Sequence, residues 1–243
     1  FFLSRHVPEN SCSEILDAWL STKACSQLIT DSITVRDFYN DEWRCSPKAL
    51  YVPYGAPIEE IGDDVDHSEV LQRFGVEEKR YFFFLSRHVP ENSCSEILDA
   101  FAMIPNPAVK LLFGGGSDSP YAASLRRHAG PSILMPGVIP SERDAAILHR
   151  HCFAAIHGNQ SGGTSLGLLK AMGYGCCVAT PDTPDNAFVV GDTGYLYPME
   201  AGGIRDTLQR MLRDPGAVSR MGARAIDRIR EHYNWDHVTD QYA

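Results

Sequence analysis

The segment from His157 to Lys170 reads His-Gly-Asn-Gln-Ser-Gly-Gly-Thr-Ser-Leu-Gly-Leu-Leu-Lys. Gly162 and Gly163 free the backbone to approach a ligand, and a helix is expected to open at Thr164 or Ser165. The amides at such a helix start suit an anion, a phosphate above all. Glycine and Ser/Thr also make an ordinary strand–turn–helix connection, so the loop alone leaves both readings open. His157 could meet a sugar hydroxyl or a phosphate, or only local backbone. A second loop, Ser86 to Asn92, carries Arg87, whose guanidinium could fork onto a phosphate pair or form a surface ion pair with Glu91. A third, Gly114-Gly115-Gly116, is a permissive turn that would also admit a close ligand. Three such loops at one edge are more persuasive together than singly.

These loops need a scaffold, and the apolar runs supply it. Strands are expected at residues 80–86, 108–114, 132–138, 152–158, 176–180 and 194–198. Helices are expected between them at Ser93 to Ile104, near Tyr121 to His128, from Ser141, from Thr164 to Tyr174, and at 201–214 and 215–232. The order Ser93-Cys94-Ser95-Glu96 suggests a capping box. Alternating strands and helices predict an α/β fold, a Rossmann-like doubly wound parallel sheet with helices on both faces. Ligands then bind beyond the carboxyl ends of the strands, where the loops after residues 86, 114, 136, 157 and 180 fall. Earlier in the chain a short strand is expected at 26–30, a helix at 32–39, a strand running into a Pro/Gly turn at 49–57, and an acidic surface loop at 59–66. The arginine-rich stretch from Arg205 to Arg230 is expected to be a solvated helical face.

The chain has 243 residues, enough for one large domain or one domain and part of another. Hydrophobic residues make up 44% and charged residues 22%, which excludes wholesale disorder. No stretch approaches 18 uncharged apolar residues, so no membrane span is expected. Lys+Arg 22 against Asp+Glu 31 gives a net charge of −9, which disfavours nucleic acid as a partner. The 7 cysteines form no C-x-x-C pair and two, Cys176 and Cys177, are adjacent in an expected buried strand. Reduced thiols in a cytoplasmic protein fit better than a disulfide scaffold or a zinc site.

Residues 1–18, FFLSRHVPENSCSEILDA, recur unchanged at 83–100. A perfect single copy is unlike the drifting repeats of solenoids. We expect the first copy to be an artefact of a join or of the recorded sequence, and the second, in its coherent strand–helix context, to be native. With no starting methionine and no signal pattern, the chain reads as an interior piece of something longer.

Taken in order, the VPYGAP linker, FFFLSRHVPEN, KLLFGGG, MPGV, HGNQSGGTSLGLLKAMGYGCCVAT, TPDNAFVVGD and YNWDHVT resemble the C-terminal half of glycosyltransferase family 4. These are retaining enzymes of the two-domain GT-B fold, and the PEN and HG-x3-GGT variants resemble the bacterial rhamnosyltransferase-like branch that builds surface polysaccharides. The resemblance covers residues 45–243 and, weakly, 19–45. It implies a tail of the N-terminal domain at 19–45, a nucleotide-sugar donor domain at 46–233, and a helix at 234–243 reaching toward the other domain. Arg87 would hold the donor diphosphate as the catalytic group. Gly115 and Gly116 would lie against the nucleotide and backbone at Val138 against the base. Gly163, Thr164, Ser165 and Leu166 would present amides to phosphates and sugar, with His157 and Lys170 completing the donor site.

Two features depart from the family pattern, at three positions. Asn92 stands where many members have a lysine, and the paired-glutamate motif is replaced by Gly162 and Lys170. A lysine cannot accept a bond from a ribose hydroxyl, so ribose recognition must differ or the site is a degenerate, non-catalytic binding module. No cofactor or metal is implied: the donor would be a dTDP- or UDP-linked sugar. The acceptor, a saccharide or lipid-linked saccharide, would be positioned by the missing N-terminal domain, which would also make any membrane contact, at the inner face. The donor half alone should bind donor and turn over little. A nucleotide-sugar epimerase of similar fold is a weaker third reading.

Overall fold

The computed structural model describes residues 27–44, 46–56, 66–104, 108–160, 163–200 and 202–242. The duplicated segment 1–18, Gly162 and nearly all of the expected acidic loop lie outside the described residues.

Six parallel strands form the main sheet: β3 (Tyr81–Ser86), β4 (Lys110–Gly115), β5 (Ile133–Gly137), β6 (Ala154–Ile156), β7 (Val178–Pro181) and β8 (Tyr195–Tyr197). Their order across the sheet is β5-β4-β3-β6-β7-β8. Numbered from β3, this is 3-2-1-4-5-6, the doubly wound order expected from the alternating pattern. The chain leaves β3 toward one edge and returns at β6 to build the other, so the switch point lies between β3 and β6.

The run Tyr81-Phe82-Phe83-Phe84 shows why the sheet needs two covers. Tyr81 and Phe83 enter the core beneath α6 (Leu166–Gly173) and α9 (Pro215–His232), whereas Phe82 and Phe84 enter the core beneath α3 (Cys94–Ala102) and α8 (Gly203–Arg213). All four are fully buried. Alternation along a strand sends successive side chains to opposite faces, so a continuous apolar run is what a sheet covered on both sides demands. Burying each aromatic ring stabilises the fold by about 1.5–3 kcal/mol.

Before the main sheet, β1 (Ile29–Thr30) pairs in parallel with β2 (Leu50–Tyr51) around α1 (Ile33–Asp41). Two expectations about helices change. α2 (His67–Arg73) and α7 (Pro184–Val190) are additional helices, opened by Asp66 and Thr183, whose side chains accept from Ser68 N and Asn186 N. Ser93 forms no capping box: it sits in the left-handed region at φ 49° and makes no side-chain cap. Its hydroxyl instead donates to Gly158 O at 2.7 Å.

The remaining helices are α4 (Pro120–Leu125), α5 (Glu142–His151) and α10 (Trp235–Asp240). Ser141 caps α5 as expected, accepting from Asp144 N at 3.1 Å. The arginine-rich face of α8 and α9 is only partly solvated. Arg228 donates to the carbonyls of Phe188 and Val189 at 2.6 Å each, satisfying the end of α7. Cys176 and Cys177 are buried as expected, and burial pushes the Cys177 thiol up to about 12, so it stays protonated.

Candidate functional site

The loop after β3 and the loop after β6 meet at the switch point. Ser93 Oγ donates to Gly158 O, Gln160 N donates to Glu91 O at 3.2 Å, and Gln160 Nε2 reaches Ser93 Oγ at 2.7 Å. Asn186 Nδ2 of α7 donates to Asn159 O at 3.1 Å and so ties the second loop to the end of β7. These contacts bring the loop carrying Arg87 and the loop leading into α6 together as one rim.

Asn92 organises the first loop. It is buried, and its amide donates to Ser86 Oγ and to Arg87 O, both at 2.8 Å. The Arg87 carbonyl also accepts from Val89 N at 3.0 Å. The backbone of Arg87 is therefore fixed while its side chain is exposed, and it enters none of the ion pairs among the described residues. The expected pair with Glu91 does not form. Asn92 thus acts as a turn-forming residue at the place where a second cation would have stood.

His88, the next residue, turns inward. It is buried, its ring lies 4.8 Å from that of Phe113, and Nε2 is 3.3 Å from Gly114 O. Burial lowers its pKa, so it is neutral at pH 7. Gly115 has φ +107° and lies hard against the Ser86 carbonyl, leaving no room for a side chain. Gly116, with its α-carbon face toward Val138, opens a cleft of about 770 Å³ between the ends of β4 and β5. His88, Gly115, Gly116, Ser119, Arg126 and Val138 contribute to its lining. Val138 is 71% exposed there. The volume falls in the range of small-molecule sites, roughly 300–1,000 Å³.

At the other side of the rim α6 begins. Ser165 occupies the N-cap position with extended backbone, but no side chain caps the helix. An uncapped helix start leaves amide donors turned toward solvent, the arrangement that attracts an anion. The Thr164 amide differs from this expectation: it donates to Asp31 O at 2.8 Å, and the Thr164 hydroxyl donates to the same oxygen at 2.7 Å. Tyr51 Oη lies 2.9 Å from Thr164 Oγ1. Leu166 is 44% exposed at the rim, and Gly163 has φ +97°.

His157 is held through its backbone, its amide donating to Ala179 O and its carbonyl accepting from Tyr197 Oη, both at 2.8 Å. Its Nε2 is buried without a partner among the described residues. Desolvation lowers its pKa to about 4, so the ring is neutral at pH 7. Lys170 is one full helix turn beyond Leu166 and forms an ion pair with Glu142 of α5, Nζ to Oε1 3.1 Å. That partner was not foreseen.

The loops' other neighbours were also invisible to local pattern. Asp185, buried on α7, accepts from Ser32 Oγ at 3.0 Å, Thr34 N at 3.3 Å and Thr34 Oγ1 at 3.0 Å. It holds the start of α1 as a carboxylate holds any helix N-terminus. Asp185 belongs to the TPDN motif, whose local pattern gives no hint of partners some 150 residues earlier.

The rim therefore joins an unpaired arginine and an uncapped helix start at the topological switch point, with a glycine-lined cleft adjoining it at the ends of β4 and β5. Such a site can take an extended ligand with an anionic centre.

Comparison with solved structures gives the same fold. HepE from Anabaena, crystallised with UDP, superposes with a TM-score of 0.85 at 17% identity, covering 99% of this chain and 68% of that one. Sucrose-phosphate synthase from Thermosynechococcus elongatus matches with a TM-score of 0.76 at 19% identity, covering 97% and 62%. A glycosyltransferase from Rickettsia africae matches with a TM-score of 0.83 at 9% identity, covering 99% and 68%. This chain thus spans about two thirds of these GT-B structures. No curated protein matches it in sequence. The family described as "Glycosyl transferases group 1" matches residues 68–228, from α2 to near the end of α9. The chain belongs to the glycosyl transferases group 1 family.

Proposed function

We propose that this chain is the nucleotide-diphosphate-sugar-binding part of a retaining glycosyltransferase of the rhamnosyltransferase-like branch, acting in surface polysaccharide synthesis. The observation that carries the reading is Arg87, exposed and unpaired on a loop bound directly to the loop that opens uncapped helix α6. Arg87 and the amides at Ser165 and Leu166 would take the diphosphate. Gly115, Gly116 and Val138 would take the nucleoside in the adjoining cleft. The HepE complexes with UDP and with UDP-glucose support a nucleotide-sugar donor for this fold.

In this reading residues 19–45 are the tail of an acceptor-side domain, 46–233 the donor domain, and 234–243 a helix returning toward the first. The anomeric carbon's bond to the diphosphate breaks and a bond to an acceptor oxygen forms with configuration kept. The acceptor's hydroxyl proton leaves with the diphosphate. Arg87 and the α6 amides stabilise the charge that grows on the leaving group, preorganised electrostatics of the usual enzymatic kind. The donor is dTDP- or UDP-linked, the acceptor a saccharide or lipid-linked saccharide at the inner face of the membrane, and the chain alone turns over little.

A second reading, a degenerate donor-site module that binds without catalysis, is favoured by the Lys170–Glu142 pair, which leaves no carboxylate at position 170. A thermal-shift series with dTDP, UDP, GDP, ADP and inorganic phosphate tests the binding on which both readings depend. A ligand at a hundred times its Kd adds about 2.7 kcal/mol. At roughly 2–4 °C per kcal/mol for a chain of this size, one nucleoside diphosphate should raise Tm visibly and phosphate should not. No shift with any nucleotide would contradict both readings. Lys170→Glu separates them: the enzyme reading expects weaker donor binding because the change sets two carboxylates facing each other. A large gain would favour the degenerate module.

A further inference from the structure

Asp31 follows β1 and stands directly over the start of α6. Its carbonyl holds both Thr164 hydrogens, so its backbone is anchored to the donor-site turn. Its side chain occupies the space that Gly163 leaves open. A β-carbon built on Gly163 would lie 3.2 Å from Asp31 Oδ2 and 3.5 Å from Oδ1. The positive φ and the neighbouring carboxylate both favour glycine there.

This carboxylate accepts a bond from its own backbone amide but is otherwise poorly compensated. It joins no ion pair among the described residues, and its charged neighbour, Asp185, carries the same sign. Asp185 is saturated by the Ser32 and Thr34 donors, whereas none of these reaches the Asp31 carboxylate. Partial burial raises its pKa most and Asp185 adds to this, while the bond from its own backbone amide lowers it. A carboxylate offers about four acceptor sites, its own backbone amide takes one, and hydroxyl donors from a ligand would satisfy others. A phosphate would not, since it repels a carboxylate.

We infer that Asp31 is a specificity-determining contact for the sugar of the donor, accepting hydrogen bonds from its hydroxyl groups while the helix start and Arg87 hold the diphosphate. This rests on the donor-site reading above. It separates two roles along one ligand: cationic and amide donors for the phosphates, a carboxylate acceptor for the sugar.

Isothermal titration of wild-type protein, Asp31→Asn and Asp31→Ala with UDP, dTDP and their hexose conjugates, with and without magnesium, tests it. The asparagine variant keeps the shape, and both keep the backbone bonds to Thr164. Losing a hydrogen bond to a charged group should weaken the nucleotide sugar by about 10- to 100-fold. Affinity for the bare nucleoside diphosphate should be unchanged or higher, because a negative charge beside the phosphates is gone. Equal changes for the sugar conjugate and the bare diphosphate would overturn the inference but leave the donor-site reading intact. A loss for the bare diphosphate seen only with magnesium would overturn it in favour of a cation bridge. No binding of any nucleotide to the wild type would overturn both.

Discussion

The backbone carbonyl of Asn92 occupies the space that a β-carbon on Gly158 would need. The rim of the proposed donor site exists because these two residues, one after β3 and one after β6, can pack backbone to backbone. Gly158→Ala should therefore force the loops apart and cost about 1–3 kcal/mol, the usual penalty for overpacking. Thermal denaturation checks the stability, and nucleotide titration should show weaker binding in the same variant. Full stability with full binding would show that the contact is not needed.

Asp185 should behave differently, as a clamp between α7 and the segment that precedes the main sheet. Removing a buried acceptor of several bonds leaves the Ser32 and Thr34 donors without their partner. Asp185→Ala should cost about 2–3 kcal/mol. Hydrogen exchange locates the loss: amides of α1 should exchange faster while those of β3 and β4 change least. Uniform acceleration across the main sheet would contradict a local clamp.

Acid stability should be set largely by two histidines, buried His149 and half-buried His157 with its Nε2 sealed from solvent. Burial lowers the pKa of His149 and of His157 from 6.5 to about 4. The unfolded chain thus binds protons more tightly than the folded one. Stability from each is fully present above about pH 6.5 and is lost as pH falls toward 4, on the order of 3 kcal/mol apiece. Asp31 has the opposite sign, since its raised pKa favours the folded state below its unfolded value and that gain fades as pH rises through the folded pKa. Chemical denaturation between pH 4 and 7 should show a steep slope that His149→Gln and His157→Gln each reduce. Unchanged slopes in both would contradict it.

The scaffold was legible in the sequence because its signals are local. Phe82 to Phe84 and Leu111 to Phe113 are continuous apolar runs, and only a sheet buried on both faces accommodates them. The strand order then placed the right loops at one edge. Local reading failed where a residue's role comes from a distant partner. Ser93 looks like a helix cap, yet its hydroxyl is taken by Gly158, 65 residues on. α7 did carry a signal, Thr183 before Pro184, and could have been read from it. Asp31 and Asp185 had none, because their functions depend on contacts 133 and about 150 residues away. Lys170 was recognised as a departure, but only the fold shows its partner, Glu142.

The most direct test of the account is isothermal titration of Arg87→Ala against wild type, with a nucleoside diphosphate and its bare nucleoside. Arg87 is exposed and unpaired, so its removal should leave stability within about 0.5 kcal/mol. Losing a charge-assisted contact should weaken the diphosphate by about 1.5–3 kcal/mol and leave the nucleoside nearly unaffected. Equal losses for the two ligands, or no loss for either, would contradict a phosphate-binding role for Arg87 and with it the proposed donor site.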